Sequence, residues 1–128
     1  MPVEITVDSK AGVVVRRVIG KLSFDDVKDS FQALYEHPGF CVGMSAVWDL
    51  RKGDAAQLTG DGIKEIVNYV ARQSERRGSG YRVAIVAPRD VDFGTSRMFQ
   101  TYGQDLPFEL KVCRKVEEAF RWINEGSQ

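Results

Sequence analysis

No hydrophobic run in the chain approaches the roughly 18 residues that a membrane span requires. Its charges also cancel, with eighteen Lys and Arg against eighteen Asp and Glu. Zero net charge gives no global field to draw in nucleic acid or an anionic membrane, although a local patch and peripheral membrane contact stay open. The opening Met1-Pro-Val-Glu-Ile5 has neither the basic nor the apolar region of a signal peptide, so the expected location is the cytoplasm. Histidine occurs once, at His37 ahead of Pro38-Gly39, and cysteine twice, at the distant positions Cys41 and Cys113. Metal sites and histidine-based triads need such groups clustered, so neither a metal nor a cofactor is expected. Cys113 lies in a strand-like run and reads as a buried, inert thiol. Nucleotide fingerprints are lacking too. Gly60-Asp-Gly62 is not a P-loop, and Gly78-Ser-Gly80 precedes a strand where a dinucleotide motif would follow one. No nucleic-acid-binding motif is present.

What is present is the composition of one soluble globular domain, 1–128, with 43% hydrophobic and 28% charged residues. Val3-Glu-Ile-Thr-Val7 alternates like a half-exposed strand, and the β-branched run from Gly12 to Ile19 makes a hairpin with it. Ser23 predicts a helix N-cap, with Asp25 and Asp26 in the first turn and Phe24, Val27, Phe31, Leu34 and Tyr35 along one face. Ser45-Ala-Val-Trp-Asp-Leu50 is a short buried strand, and Arg51-Lys-Gly-Asp54 reads as the loop after it. A second helix follows, capped by Thr59 or Asp61, with Ile63, Ile66, Val67 and Val70 inward. Arg76 and Arg77 read as charges on its wet face. Tyr81 to Ala87 is a strand, and Asp90 starts a third helix with Val91, Phe93, Met98, Phe99 and Tyr102 as its large apolar members, weakened at Gly94. Phe108 to Cys113 is an edge strand, and Val116, Ala119, Phe120 and Ile123 give a fourth helix its inward face.

The order is β-β-α-β-α-β-α-β-α. It predicts an α/β fold with a mixed five-stranded sheet, the first strand antiparallel and the others parallel, and four helices. Val47-Trp48-Asp49-Leu50-Arg51, Arg82-Val-Ala-Ile-Val-Ala-Pro88, Phe93-Gly94 with Arg97-Met98-Phe99, and Glu118-Ala119-Phe120-Arg-Trp122 resemble the SpoIIAA-like family. These small bacterial domains are related to the STAS fold and share a core with CRAL-TRIO lipid-binding domains. The resemblance implies a regulatory or binding role without a firmly assigned reaction. True STAS regulators carry Asp-Ser-Ser-Gly at a helix start, with one serine phosphorylated. Gln57-Leu58-Thr59-Gly60 stands at the matching place, leaving Thr59 as the phospho-acceptor the resemblance implies.

Three function classes follow. In a partner-binding module, the loops at the carboxyl edge of a parallel sheet would gather Lys21, Arg51, Lys52, Arg89, Arg114 and Lys115 on one rim to take an anion or an acidic peptide. Asp25, Asp26, Asp54, Asp61, Asp90 and Asp92 share that rim, so the plainer reading is mutual neutralisation in water. In a lipid or amphipath binder, Phe93, Met98, Phe99 and Tyr102 near Gly94 would form a lid over an apolar pocket, against the plainer reading that they are core. In an enzyme, Asp49 with Asp54 or Asp90 is the best acid–base pair, although Asp49 more naturally holds loop N–H groups. The expected reading is non-enzymatic, with no catalytic residue. Trp48, Asp49, Arg51, Lys52, Thr59, Arg89, Phe93, Arg97, Met98 and Phe99 are the expected ligand- or partner-binding residues. The ligand is a protein or an amphipathic or anionic small molecule, and a homo-oligomer stays open.

Overall fold

Residues 2–126 are described by a computed structural model, so Met1, Ser127 and Gln128 of the expected domain lie outside the described residues. The chain runs β1 (Val3–Asp8), β2 (Val13–Lys21), α1 (Phe24–Glu36), β3 (Ser45–Asp54), α2 (Gly60–Ala71), α3 (Ser74–Arg77), β4 (Arg82–Val86), α4 (Asp90–Tyr102), β5 (Glu109–Cys113) and α5 (Val116–Glu125). The sheet is ordered β1-β2-β3-β4-β5, with β1 antiparallel to β2 and every other pair parallel. That is the mixed sheet the alternating elements predict, with β3 at its centre.

The strand order follows the chain without reversal, and this decides where everything else lies. Each parallel connection steps one strand in the same direction with the same hand. The helices α1, α2 and α4 therefore pack side by side on one face, α1 against α2 and α2 against α4. Only α5 crosses to the other face, against β3, β4 and β5. Val13, Val47, Ala84, Val86 and Cys113 point at α5 and its Ala119 and Ile123. The alternate positions Val14, Val18, Ala46, Val83 and Ile85 point at the three-helix layer.

Local chemistry sets the helix starts. The Ser23 Oγ accepts the Asp26 N–H at 3.2 Å, and Asp26 Oδ2 accepts the Ser23 N–H at 2.9 Å, a capping box with aspartate in place of the commoner glutamate. Thr59 is the cap of α2, its Oγ1 accepting the Gly62 N–H at 3.3 Å.

Three expectations need correction. There are five helices among the described residues, because the chain breaks at Arg72-Gln73 and restarts as the single turn α3. Strand β3 also runs four residues past Leu50. Its ladder with β2 continues through Ile19 against Lys52, Gly20 against Gly53 and Lys21 against Asp54, so Arg51 and Lys52 lie in a strand and not in a loop. A register shift between Arg17 and Ile19 brings Val18 down onto Gly53, where an added Cβ would lie 2.8 Å from Val18 Cγ1. Finally, the inward residues of α4 are Asp92 and Ser96, while Val91 and Tyr102 are exposed.

Candidate functional site

Between the sheet and the α1, α2 and α4 layer lies a cavity of about 100 Å³. Its walls are core side chains of the sheet, of α1, α2 and α4 and of the loops between them, among them Phe31, Trp48, Leu50, Ile66, Tyr81 and Phe99. An engineered apolar cavity of roughly 150 Å³ admits benzene, so the space here is larger than a single water needs, and a ligand bigger than benzene requires the walls to move.

Two arginines break this apolar lining. Arg16 is 1% exposed and Arg77 is 2% exposed, and both line the cavity. Arg16 reaches it by strand alternation, standing between Val14 and Val18 on the helix-layer face and opposite Trp48 on β3. Arg77 reaches it through a turn. Its carbonyl accepts the Gly43 N–H at 2.9 Å, and Gly78 follows at φ +96° so close to Gly43 that an added Cβ would lie 2.7 Å from Gly43 N. That backbone contact, available only to glycine, rolls the end of α3 inward. The expectation that Arg77 lies on a wet helix face is thereby corrected.

Aromatic rings lie against both guanidiniums. The Arg16 Cζ lies 4.7 Å from the ring centres of both Phe31 and Trp48. The Arg77 Cζ lies 4.1 Å from the Tyr81 ring and 5.8 Å from the Phe40 ring. Nε and Nη2 of Arg16, and Nη1 and Nη2 of Arg77, have no hydrogen-bond acceptor among the described residues. No carboxylate among the described residues pairs with either one. Burial, and then the charge of Arg77, pull the pKa of Arg16 down to about 9 against the opposing pull of Tyr81, Tyr35 and Tyr69. Burial likewise lowers that of Arg77.

The residues singled out from the sequence are distributed differently. Trp48 and Phe99 line the cavity, whereas Phe93 and Met98 are half-buried outside its walls, and Arg97 and Lys52 are exposed. Asp49 is buried on the α5 face of the sheet and clasped by Arg51, whose Nε and Nη2 donate at 2.8–3.1 Å and whose backbone N–H donates at 3.0 Å. Burial works against this carboxylate, but the Arg51 hydrogen bonds and charge outweigh it and hold its pKa below the usual value. Arg89 Nε donates to Asp92 Oδ2 at 2.7 Å and its Nη2 to Asp54 Oδ1 at 3.2 Å. Arg114 Nη1 donates to Asp90 Oδ1 at 2.8 Å and to the Pro88 carbonyl at 3.0 Å. Arg89 and Arg114 thus share the turn before α4, with Arg51 apart from them against Asp49. Each of the three has its own carboxylate.

Thr59 is exposed and occupied as a cap. Replacing it with alanine is expected to lower stability by about 1 kcal/mol, the usual worth of such a cap, read as a small drop in the urea midpoint with an unchanged slope. The buried Cys113 thiol donates to the Ile85 carbonyl at 3.6 Å, and burial pushes its pKa up to about 11, so it is unreactive near neutral pH. No group of three His, Cys, Asp or Glu suited to a metal occurs among the described residues. None of the described helices is long and apolar enough to cross a membrane.

A five-stranded mixed sheet with three helices on one face and the last on the other defines the class as a SpoIIAA-like α/β fold. An uncharacterised protein of the DUF3478 family from Shewanella loihica PV-4, itself described as having a SpoIIAA-like fold, superposes with a TM-score of 0.60. The two are 16% identical, and the match covers 94% of this chain and 91% of that one. No protein-family model matches the chain, and no curated protein matches it.

Proposed function

We propose that this protein is a non-enzymatic binding module that holds a small amphipathic molecule in the chamber between its sheet and its three-helix layer. One observation carries the reading: an apolar cavity of about 100 Å³ at the centre of the fold, walled by Phe31, Trp48 and Phe99. Native cores are packed to crystal-like density and hold few voids larger than a water molecule. Thr95, Ser96 and Phe99 place α4 along one wall, so movement of this helix would open the chamber. A regulatory, partner-binding role of the STAS kind is the second reading. It draws support from the fold and from the exposed Thr59 hydroxyl at the start of α2.

The test uses a neutral ligand, so that it reports on the chamber alone. Purified full-length protein is expected to show saturable fluorescence enhancement with N-phenyl-1-naphthylamine, displaced by 1-octanol. Native mass spectrometry of freshly prepared protein is expected to show a bound small molecule. Absence of both signals would sink the proposal.

A further inference from the structure

We propose that the chamber takes its ligand head-first: the ligand is a single-chain amphipath whose phosphate or carboxylate head is buried against the paired guanidinium edges of Arg16 and Arg77. The inference rests on the chamber being a binding site and adds to it the chemistry and orientation of the ligand.

The argument begins with what a buried arginine needs. Guanidinium is a planar fork of five N–H donors with no acceptor of its own, and its natural partners are oxyanions bound through two parallel hydrogen bonds. Arg51 shows the normal solution in this molecule, with Nε and Nη2 on the two oxygens of Asp49. Arg16 leaves that same edge, Nε with Nη2, without a protein acceptor, and Arg77 leaves its end-on edge, Nη1 with Nη2. Both side chains are almost wholly buried and line the same chamber.

The surroundings favour an anion over any other occupant. Phe31 and Trp48 lie against Arg16, and Tyr81 and Phe40 against Arg77, so aromatic rings and not acceptors surround the two guanidiniums. The two cations are close enough for one to disturb the protonation of the other. A neutral alcohol satisfies a donor or two and leaves both charges uncompensated. A carboxylate answers one fork, and a phosphate monoester has enough oxygens and charge to answer both. Apart from the hydroxyls of Thr95 and Ser96, the remaining lining is hydrocarbon and aromatic, which suits an alkyl tail.

Calorimetric titration of the full chain with octyl phosphate, octanoate, 1-octanol and inorganic phosphate separates the possibilities. Octyl phosphate and octanoate are expected to bind about tenfold or more tighter than 1-octanol, with inorganic phosphate weaker than octyl phosphate. Arg16→Gln and Arg77→Gln are each expected to erase most of that preference, read as the ratio of octyl phosphate to 1-octanol affinity within each variant. Arg16→Lys, which keeps the charge and loses the fork, is expected to fall between. Octanol binding as tightly as the two acids would overturn the inference and leave the chamber standing as a neutral site. Preference surviving in both glutamine variants would overturn the assignment to these arginines. Inorganic phosphate matching octyl phosphate would overturn the amphipath. No binding by any of the four compounds would remove the chamber reading along with it.

Discussion

Arg16→Met is expected to give a ligand-free protein that is more stable than the wild type and much weaker in holding an acidic ligand. Arg16 carries a charge that is 1% exposed, with no carboxylate partner among the described residues. Replacing buried ionic groups by hydrophobic residues of similar volume gains about 1–4 kcal/mol where packing permits, and methionine follows the arginine stem. For a domain of this length that corresponds to a rise in melting temperature of about 5–15 °C. The stacking on Phe31 and Trp48 opposes that gain by about 0.5–2 kcal/mol per contact, so the observed rise measures how far the desolvation of the charge exceeds the two contacts. Affinity for octyl phosphate is expected to move the other way, falling about a hundredfold as two charge-assisted hydrogen bonds go. A variant both less stable and unaltered in binding would refute this account of Arg16.

The same substitution carries a pH signature. The pKa of Arg16 is about 9 in the folded chain, well below the ordinary arginine value. Between those limits the unfolded chain binds more protons than the folded one, so this group makes stability rise with pH there. Below about pH 9 its penalty is complete and constant. The stability advantage of Arg16→Met over the wild type is therefore expected to hold level from pH 6 to about 9 and to shrink above that. Taking the difference between the two proteins cancels the opposing contribution of Cys113. Its raised pKa of about 11 makes stability fall with pH over the neighbouring range.

How much of this was legible in the sequence depends on whether the decisive contact is local. Ser23 and Thr59 as caps, the central strand carrying Trp48, and Ala119 with Ile123 facing the sheet all follow from short-range patterns, and the structure has them. The mixed α/β sheet was legible from the order of elements, and its SpoIIAA-like character from the resemblance carried by residues 47–51, 82–88, 93–94 with 97–99, and 118–122. Arg16 does carry a local signal. In a β-branched strand, Val14, Arg16 and Val18 share a face by simple alternation, and a charge on an apolar face calls for an explanation. Arg77 left no local signal, because its inward turn depends on Gly43 and Gly78 meeting across a sequence gap of about 35 residues. Composition also misled at Arg51-Lys-Gly-Asp54, where a polar run that looks like a loop is held as strand by the β2 ladder.

The rim at the carboxyl edge raises a different point. Ligands collect there in open α/β sheets because a reversal in strand order sends neighbouring helices to opposite faces and leaves a crevice between them. Strand order in this molecule never reverses, so the three crossover helices close side by side. The space is left beneath that layer instead of at its edge. Nothing in a single sequence states whether successive strands add on one side or on both.

The largest loss of stability is expected from Asp92→Ala, at the start of α4. Asp92 has no exposure, and its two oxygens do separate work. Oδ1 accepts the buried Ala55 N–H at 2.8 Å, and Oδ2 accepts Arg89 Nε at 2.7 Å. The carboxylate thus straps α4 to the end of β3, where Leu50, Ala55 and Leu58 form part of the chamber wall. Alanine strands the Ala55 N–H without an acceptor and opens a small void. Arg89 is half exposed, so losing that ion pair contributes less. Together the cost is about 2–4 kcal/mol, measurable as a lower urea midpoint at constant slope. Asp92→Asn separates the two roles, because its amide oxygen can still accept from Ala55 while its charge is gone; about 1 kcal/mol is expected. If alanine and asparagine destabilise equally, the ion pair with Arg89 is the strap and the Ala55 bond is incidental. With the strap cut, α4 should ride more loosely on the sheet. N-phenyl-1-naphthylamine should then enter and leave the Asp92→Ala chamber faster than that of the wild type, since Thr95, Ser96 and Phe99 stand on the loosened helix.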